Sequence, residues 1–257
     1  MKSILWIIGV PVVLIAAFLI VNSFIYNEKQ GDMSNRGIPV QVIPISHATA
    51  VLVFADTVFY TDPTGGAAAF KDQPAADIVL VTDIHGDHLS TSTLAAVVGE
   101  GTTLIVPQAV KDMLPAELAS RAHVLANGET VADREFKILA VPMYNLPEGP
   151  ERHPKGRGNG YLIARDNTRV YVAGDTAGIP EMRALTDIDI AFVPMNLPYT
   201  MGVEEAADAV LAFKPRQAYP YHYRGPDGLA DVAKFKSLVN AGNPNIEVIL
   251  ANWYPQE

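Results

Sequence analysis

Cysteine is absent from the 257 residues. No disulfide framework and no thiolate metal site can therefore form, and anchoring through an N-terminal lipidated cysteine is excluded. Cations are scarce as well. Nineteen Lys and Arg stand against 28 Asp and Glu, for a net charge of −9. A nucleic-acid surface needs clustered Lys and Arg, so that class of partner is not expected.

One apolar run breaks the pattern. Ile4 to Val21 holds no charged residue, and the run nearly reaches Tyr26. A helix over Ile4–Ile25 is about 33 Å long, enough to cross a bilayer core. Gly9 and Pro11 are tolerated in such helices, and Trp6 and Tyr26 sit where interfacial aromatics belong. A cleaved signal peptide has a shorter apolar core of about 7–15 residues and an Ala-x-Ala-like site. Only Val21-Asn-Ser23 faintly resembles one. The expectation is an uncleaved transmembrane anchor over residues 1–26, a polar linker over 27–37 and one domain over 38–257. Lys2 and the amino terminus precede the span, while Glu28, Lys29, Asp32 and Arg36 nearly cancel after it. The positive-inside rule then puts the domain on the extracytoplasmic side.

The domain begins rich in β-branched runs. Val40–Ile45, Ala50–Ala55 and Thr57–Thr61 predict antiparallel strands. Ser90–Val98 predicts a short helix, Leu104–Val106 a strand and Val131–Pro142 a further strand. Pro147–Gly160 is a turn-rich loop around His153. Tyr161–Ala164 and Thr168–Ala173 predict a hairpin. Beyond it, strands at Ile188–Val193, Arg216–Tyr221 and Ile246–Ala251 alternate with helices starting at Pro180, Val203 and Asp227. The order suits an α+β domain of two packed sheets with helices outside. Asp56–Pro63 and Thr168–Asp175 both carry a strand into an Asp, a weak echo of two related halves.

The densest chemistry lies in Ile78-Val-Leu-Val-Thr-Asp83-Ile-His85-Gly-Asp87-His88-Leu89. An apolar strand ends there in four side chains that suit a divalent metal. Strand and helix periods cannot point His85, Asp87 and His88 at one spot; a loop can. The bland alternative is a polar turn with surface histidines. Further on, His153 lies in the Gly/Pro loop, Asp175 follows a strand in Ala-Gly-Asp175-Thr, and His222 follows another in Pro-Tyr-His222-Tyr-Arg. Taken singly, a loop His is usually solvated and an Asp after Gly usually forms a turn. Ligands gathered at the ends of separate strands are nonetheless how a sheet scaffold builds a site.

Asp83-Ile-His85-Gly-Asp87-His88 resembles the His-x-His-x-Asp-His signature of the metallo-β-lactamase fold hydrolases, with Asp83 in place of the first His. The resemblance spans roughly residues 38–257. Within the superfamily the chain is similar to the branch that includes ascorbate-6-phosphate lactonase. It implies the four-layer αβ/βα sandwich and two divalent ions, zinc or manganese. By the same resemblance Asp83, His85 and His153 form one metal site, Asp87, His88 and His222 the other, and Asp175 bridges them. His47, in a Ser-His-Ala turn, is read as structural or as supporting a ligand.

The chemistry expected of such a site is hydrolysis, in which a metal-bound hydroxide attacks a small ester, lactone or phosphodiester. Asp87 orients the nucleophile or takes its proton. Asn196, placed after a strand, is a candidate for the developing oxyanion. The alternative is a metal-binding but inactive protein that recruits a partner. Asp83 shifts the charge count. Two divalent ions, three carboxylates and one hydroxide sum to about zero, which favours harder ions such as manganese. Arg157, near His153, and Arg224, near His222, would border the cleft and hold an anionic group on a small-molecule substrate.

Overall fold

The computed structural model describes residues 40–149 and 151–255. The anchor and linker expected over residues 1–37 lie outside them. Among the described residues no helix is long and apolar enough to cross a membrane. The expected transmembrane helix and membrane-anchored, extracytoplasmic localisation are corrected accordingly. They rested on the apolarity and length of Ile4–Ile25, on Trp6 and Tyr26 at its ends and on the flanking charges, and no described helix is long and apolar enough for that role.

Two sheets form the domain. The first has six strands in sequence order: β1 Val40–Ser46, β2 Thr49–Phe54, β3 Thr57–Thr61, β4 Ile78–Leu80, β5 Thr103–Val106 and β6 Ala122–Val124. β1 to β3 run antiparallel; β3 to β6 run parallel. The second sheet has seven: β7 Thr130–Asp133, β8 Phe136–Met143, β9 Gly158–Arg165, β10 Thr168–Val172, β11 Ile190–Pro194, β12 Gln217–Tyr221 and, past a small hairpin of β13 Arg224–Gly225 and β14 Gly228–Leu229, β15 Glu247–Val248. β7 to β10 are antiparallel, and β10, β11, β12 and β15 are parallel. Each sheet thus passes from a meander to parallel strands at one strand, β3 or β10.

Period-two alternation sorts the side chains into layers. On β3, Val58 and Tyr60 join a cluster with Leu94 of α1 (Thr91–Val97), Val110 of α2 (Gln108–Lys111) and Leu118 of α3 (Ala116–Arg121). Phe59 points the other way, with its ring 4.9 Å from Phe136 of the second sheet. Phe54 packs edge-on against the same ring. On the far side, Tyr171 of β10 meets Phe213 of α5, the helix Val203–Phe213 that follows the short α4 at Pro180–Arg183. The last helix, α6 (Val232–Gly242), packs against α5. Helices therefore flank two facing sheets, the layering that the resemblance implied.

Three local expectations change. The single strand expected at Val131–Pro142 is a hairpin, turned at Arg134 with φ of 50°. The helix expected from Asp227 starts at Val232, where the Asp231 carboxylate accepts from the Lys234 amide at 2.8 Å. β9 begins at Gly158, inside the stretch expected to be loop.

Candidate metal centre

Asp62 follows β3, residues 83–88 follow β4, Asp175 follows β10, Asn196 follows β11 and His222 follows β12. All leave the carboxyl ends of strands that take part in parallel pairing, and Asp62 and Asp175 leave the strands at which each sheet changes direction. Open α/β sheets bind ligands at such switch points. The turn after β4 is tight: the amides of His88 and Leu89 both bond the His85 carbonyl, at 2.9 and 2.8 Å. Ser90 then caps α1 through Thr93.

The seven side chains expected to converge do so. His88 Nε2 lies 3.1 Å from His222 Nε2 and 3.3 Å from Asp175 Oδ2. His222 Nε2 lies 3.3 Å from Asp87 Oδ2 and 3.3 Å from Asp175 Oδ1. On the other side, His153 Nε2 is 3.2 Å from Asp175 Oδ2 and 3.2 Å from His85 Nδ1. His85 Nδ1 in turn is 2.7 Å from Asp83 Oδ2. Three donor groups result among the described residues, Asp83 with His85 and His153, His88 with Asp175 and His222, and His47 with Asp87 and His222, and Asp175 also lies within reach of His153. His88, His222 and Asp83 are fully buried, while His85 and Asp87 are about half open to solvent.

These residues fit divalent ions. Bond lengths of about 2.0–2.1 Å in a tetrahedral shell put neighbouring donors about 3.3 Å apart, and most spacings fall at 3.1–3.3 Å. The Asp175 Oδ1 atom is buried without a hydrogen-bond partner, a costly state for an anion that a cation relieves. The imidazoles are also oriented from behind. His88 Nδ1 is 2.8 Å from Asp62 Oδ2, and Asp62 is itself held by the Thr82 amide and hydroxyl at 2.7 and 2.6 Å. His153 Nδ1 is 3.0 Å from Asn145 Oδ1. His222 Nδ1 is 2.9 Å from the Asn196 amide. At His88 and His153, where Nδ1 faces an acceptor oxygen, Nε2 keeps its lone pair for the centre, the usual arrangement behind a metal-bound histidine; at His222 the Asn196 side-chain amide donates to Nδ1.

Charge is balanced within the cluster. Burial raises the Asp175 carboxyl, but the neighbouring His222 and His88 outweigh it and hold the group well below the usual range. Burial raises the Asp87 carboxyl too, and bonds from His222 and His47 together with the charge of His88 outweigh it and hold the group down. Burial lowers His88, yet Asp175 and Asp62 carry it well above its ordinary value.

His47 sits in the β1–β2 turn at φ 56°. Its Nε2 is 3.2 Å from Asp87 Oδ2 and its Nδ1 2.7 Å from the Tyr254 hydroxyl. Its carbonyl accepts from the His222 amide. It therefore braces Asp87 and His222 together.

The residues expected to meet substrate lie elsewhere. Arg157 does not border an open rim: its Nε and Nη2 fork onto Asp83 Oδ1 and Oδ2, each at 3.1 Å. The Arg224 guanidinium stacks over Tyr254, 4.5 Å from the ring centre. Asn196 is buried between His222 and Thr200, whose hydroxyl donates to it at 2.5 Å. A cleft of about 510 Å³ opens beside His153, sharing Asn145 with it and lined also by Leu146, Glu148, Leu197, Thr200 and Glu205.

Asp62 and Asn145 escaped the sequence reading. The signal for Asp62 was present: it closes the first of the two strand-into-Asp stretches, and Asp175 closes the second. The fold makes them counterparts, each following the strand where its sheet changes from antiparallel to parallel, and they grip opposite nitrogens of His88. Asn145 carries no comparable signal.

Known proteins bear on this geometry. A β-lactamase superfamily domain matches residues 41–222. A UPF0173 metal-dependent hydrolase of Thermococcus onnurineus is 32% identical over 210 residues, covering 78% of this chain and 92% of the relative. Among solved structures, a protein of Parabacteroides distasonis assigned as a metal-dependent hydrolase is 37% identical with a TM-score of 0.72, over 82% of this chain and 91% of that one. Igni18, a metallo hydrolase of Ignicoccus hospitalis, shares the fold at 20% identity and a TM-score of 0.69, over 83% and 95% of the two chains. Together with the converging donors, these likenesses make the chain a metal-dependent hydrolase of the metallo-β-lactamase fold, a member of the UPF0173 family.

Proposed function

We propose that this hydrolase holds two divalent ions, zinc or manganese, and cleaves a small ester or lactone, with a phosphodiester as the next candidate. Asp83, His85 and His153 hold one ion, Asp87, His88 and His222 the other, and Asp175 serves both. One observation carries the reading: donors from three strand ends and from the Gly/Pro loop converge at the spacing of a metal shell, around a buried Asp175 oxygen that lacks a hydrogen bond. Four imidazoles suit zinc, and three carboxylates keep manganese in range.

When bound, the ions supply Lewis acidity and a lowered pKa for water. The chain does the rest. Asp87, kept ionised by His47 and His222, orients the attacking group on the solvent-facing side of the centre. Asn145 and Asn196 fix the rings of His153 and His222. The cleft beside His153 receives the substrate. Leu146 and Leu197 give it apolar walls, and three glutamates, Glu148, Glu151 and Glu205, against the single cation Arg152 make it a poor host for an anion. With Arg157 on Asp83 and Arg224 on Tyr254, an uncharged ester or lactone has the better support. The branch resemblance supports the lactone, although the lactone of that branch carries an anionic phosphate.

The test is a screen of nitrophenyl esters, a γ-lactone and bis-nitrophenyl phosphate against protein loaded with zinc or manganese. Turnover of an ester or lactone that a chelator abolishes and the metal restores is the expected result. Full metal loading without turnover of any of the three would favour the alternative, a metal-binding protein that recruits a partner.

A further inference from the structure

We propose that Arg157 is the charge complement of Asp83, and that the two together take the place of one neutral histidine in the metal centre. This rests on Asp83 being a ligand, as in the proposed function, and adds a positioning residue to that site. Asp83 is fully buried. The Arg157 guanidinium meets both its oxygens in a parallel fork, the geometry that fixes a carboxylate in plane as well as neutralising it. Burial raises the Asp83 carboxyl, and His85, His88 and Arg157 more than offset this. The fork uses one lone pair on each oxygen. Oδ2 retains the capacity to face His85 Nδ1 at 2.7 Å and His153 Nε2 at 3.8 Å.

Charge decides what the pair does. Two divalent ions against Asp83, Asp87 and Asp175 leave one net positive charge. Arg157 makes it two. A histidine at position 83 with no arginine beside it leaves two as well. The exchange at this position is therefore neutral for the centre, provided that the arginine comes with it. The backbone is shaped for this pairing. Arg157 immediately precedes β9, and a Cβ on Gly158 would stand 2.8 Å from the Thr82 carbonyl and 3.3 Å from Asp83 Oδ1. Only glycine lets the strand pass close enough to deliver the arginine.

The pair predicts coupling. Asp83→His alone buries a guanidinium with no carboxylate beside two cations. Asp83→His combined with Arg157→Gln removes the stranded charge. Binding of zinc and of manganese is measured by competition with a chromophoric chelator, with the number of ions per chain counted in each variant. The expected result is that Asp83→His weakens one ion by about tenfold or more, and that the double variant recovers to within about threefold of the parent. Arg157→Lys, which keeps the charge but loses the fork, should bind with intermediate affinity. Thermal unfolding of each metal-free variant shows that the folded state is being compared. Equal metal affinity in Asp83→His with and without Arg157 overturns the proposal. Asp83→Ala separates the underlying reading: if it keeps both ions at the parent affinity, Asp83 is not a ligand and the site assignment itself falls.

Discussion

His88 shows most plainly how single residues set this centre. Its ring is closed in by carboxylates at both nitrogens, Asp62 behind and Asp175 in front. Asp62 fixes which nitrogen carries the proton. Asp62→Asn should keep the shape but weaken the hold on that tautomer, lowering metal affinity by roughly 10–100-fold; chelator competition reads this directly. Asp62→Ala should also cost stability, on the order of 3–5 kcal/mol in the metal-free form, because it strands a buried charged partner. Protons and metal compete here. In the metal-free protein His88 has a raised folded pKa. Its stabilisation is complete below the unfolded value of about 6.5 and is lost as pH climbs through the folded value. Asp175, with a lowered folded pKa, contributes above about 3.9 and loses its share as pH falls through its folded value. Metal binding requires the His88 ring to be neutral, so metal affinity has the opposite trend. Melting of the metal-free protein should drop in temperature as pH rises above about 6.5, while the increase on adding metal grows. A metal-induced increase that is the same at about pH 6 and at about pH 8.5 would contradict this competition.

At the scale of elements, the start of β9 is the sensitive point. Gly158→Ala sets a methyl against the Thr82 carbonyl and Asp83, and relief requires β9 to shift away from β4. The expected cost is about 1–3 kcal/mol, with a loss of metal affinity that Gly128→Ala, at a left-handed turn with open space around it, should not show. Denaturant unfolding and metal competition measure the two. This strand also shows where sequence reading stops. Gly158-Asn-Gly160 looks like loop because glycine weakens strands in general; here glycine is needed by the close approach to Thr82. The β7–β8 hairpin was missed for a related reason. Val131 to Pro142 carries alternating apolar residues, and the charged run Asp133-Arg134-Glu135, left-handed at Arg134, marks the turn that divides it. By contrast β2 and β3 were legible as β-branched apolar runs, buried at nearly every position, and α5 because its buried residues fall at helical spacing.

At the scale of the whole molecule, two sheets of matching design converge on His88 through the residues that follow their switch strands. Asp62 after β3 and Asp175 after β10 were visible in the sequence as a faint internal echo, and the fold turns that echo into a shared grip on His88. The ligand cluster was legible because its residues are chemically conspicuous: seven His and Asp side chains placed after strands or in the Gly/Pro loop. The supporting residues were not. Asn145, Asn196 and Arg157 are ordinary polar residues whose roles depend on contacts far along the chain, such as the 74 positions between Asp83 and Arg157. The charge count drawn from the motif, with its hydroxide, came out near zero because Arg157 was assigned to the substrate; on the same basis Arg157 raises it to about one positive charge. Asp175 remains the pivot of the account. Asp175→Ala should lose most bound metal and nearly all turnover, measured by elemental analysis and by the ester assay. The most direct measurement is anomalous diffraction from crystals soaked in zinc or manganese. Two peaks about 3.5–4 Å apart, with Asp175 between them, are the result this account requires. A single ion, or ions that Asp175 does not touch, would contradict it.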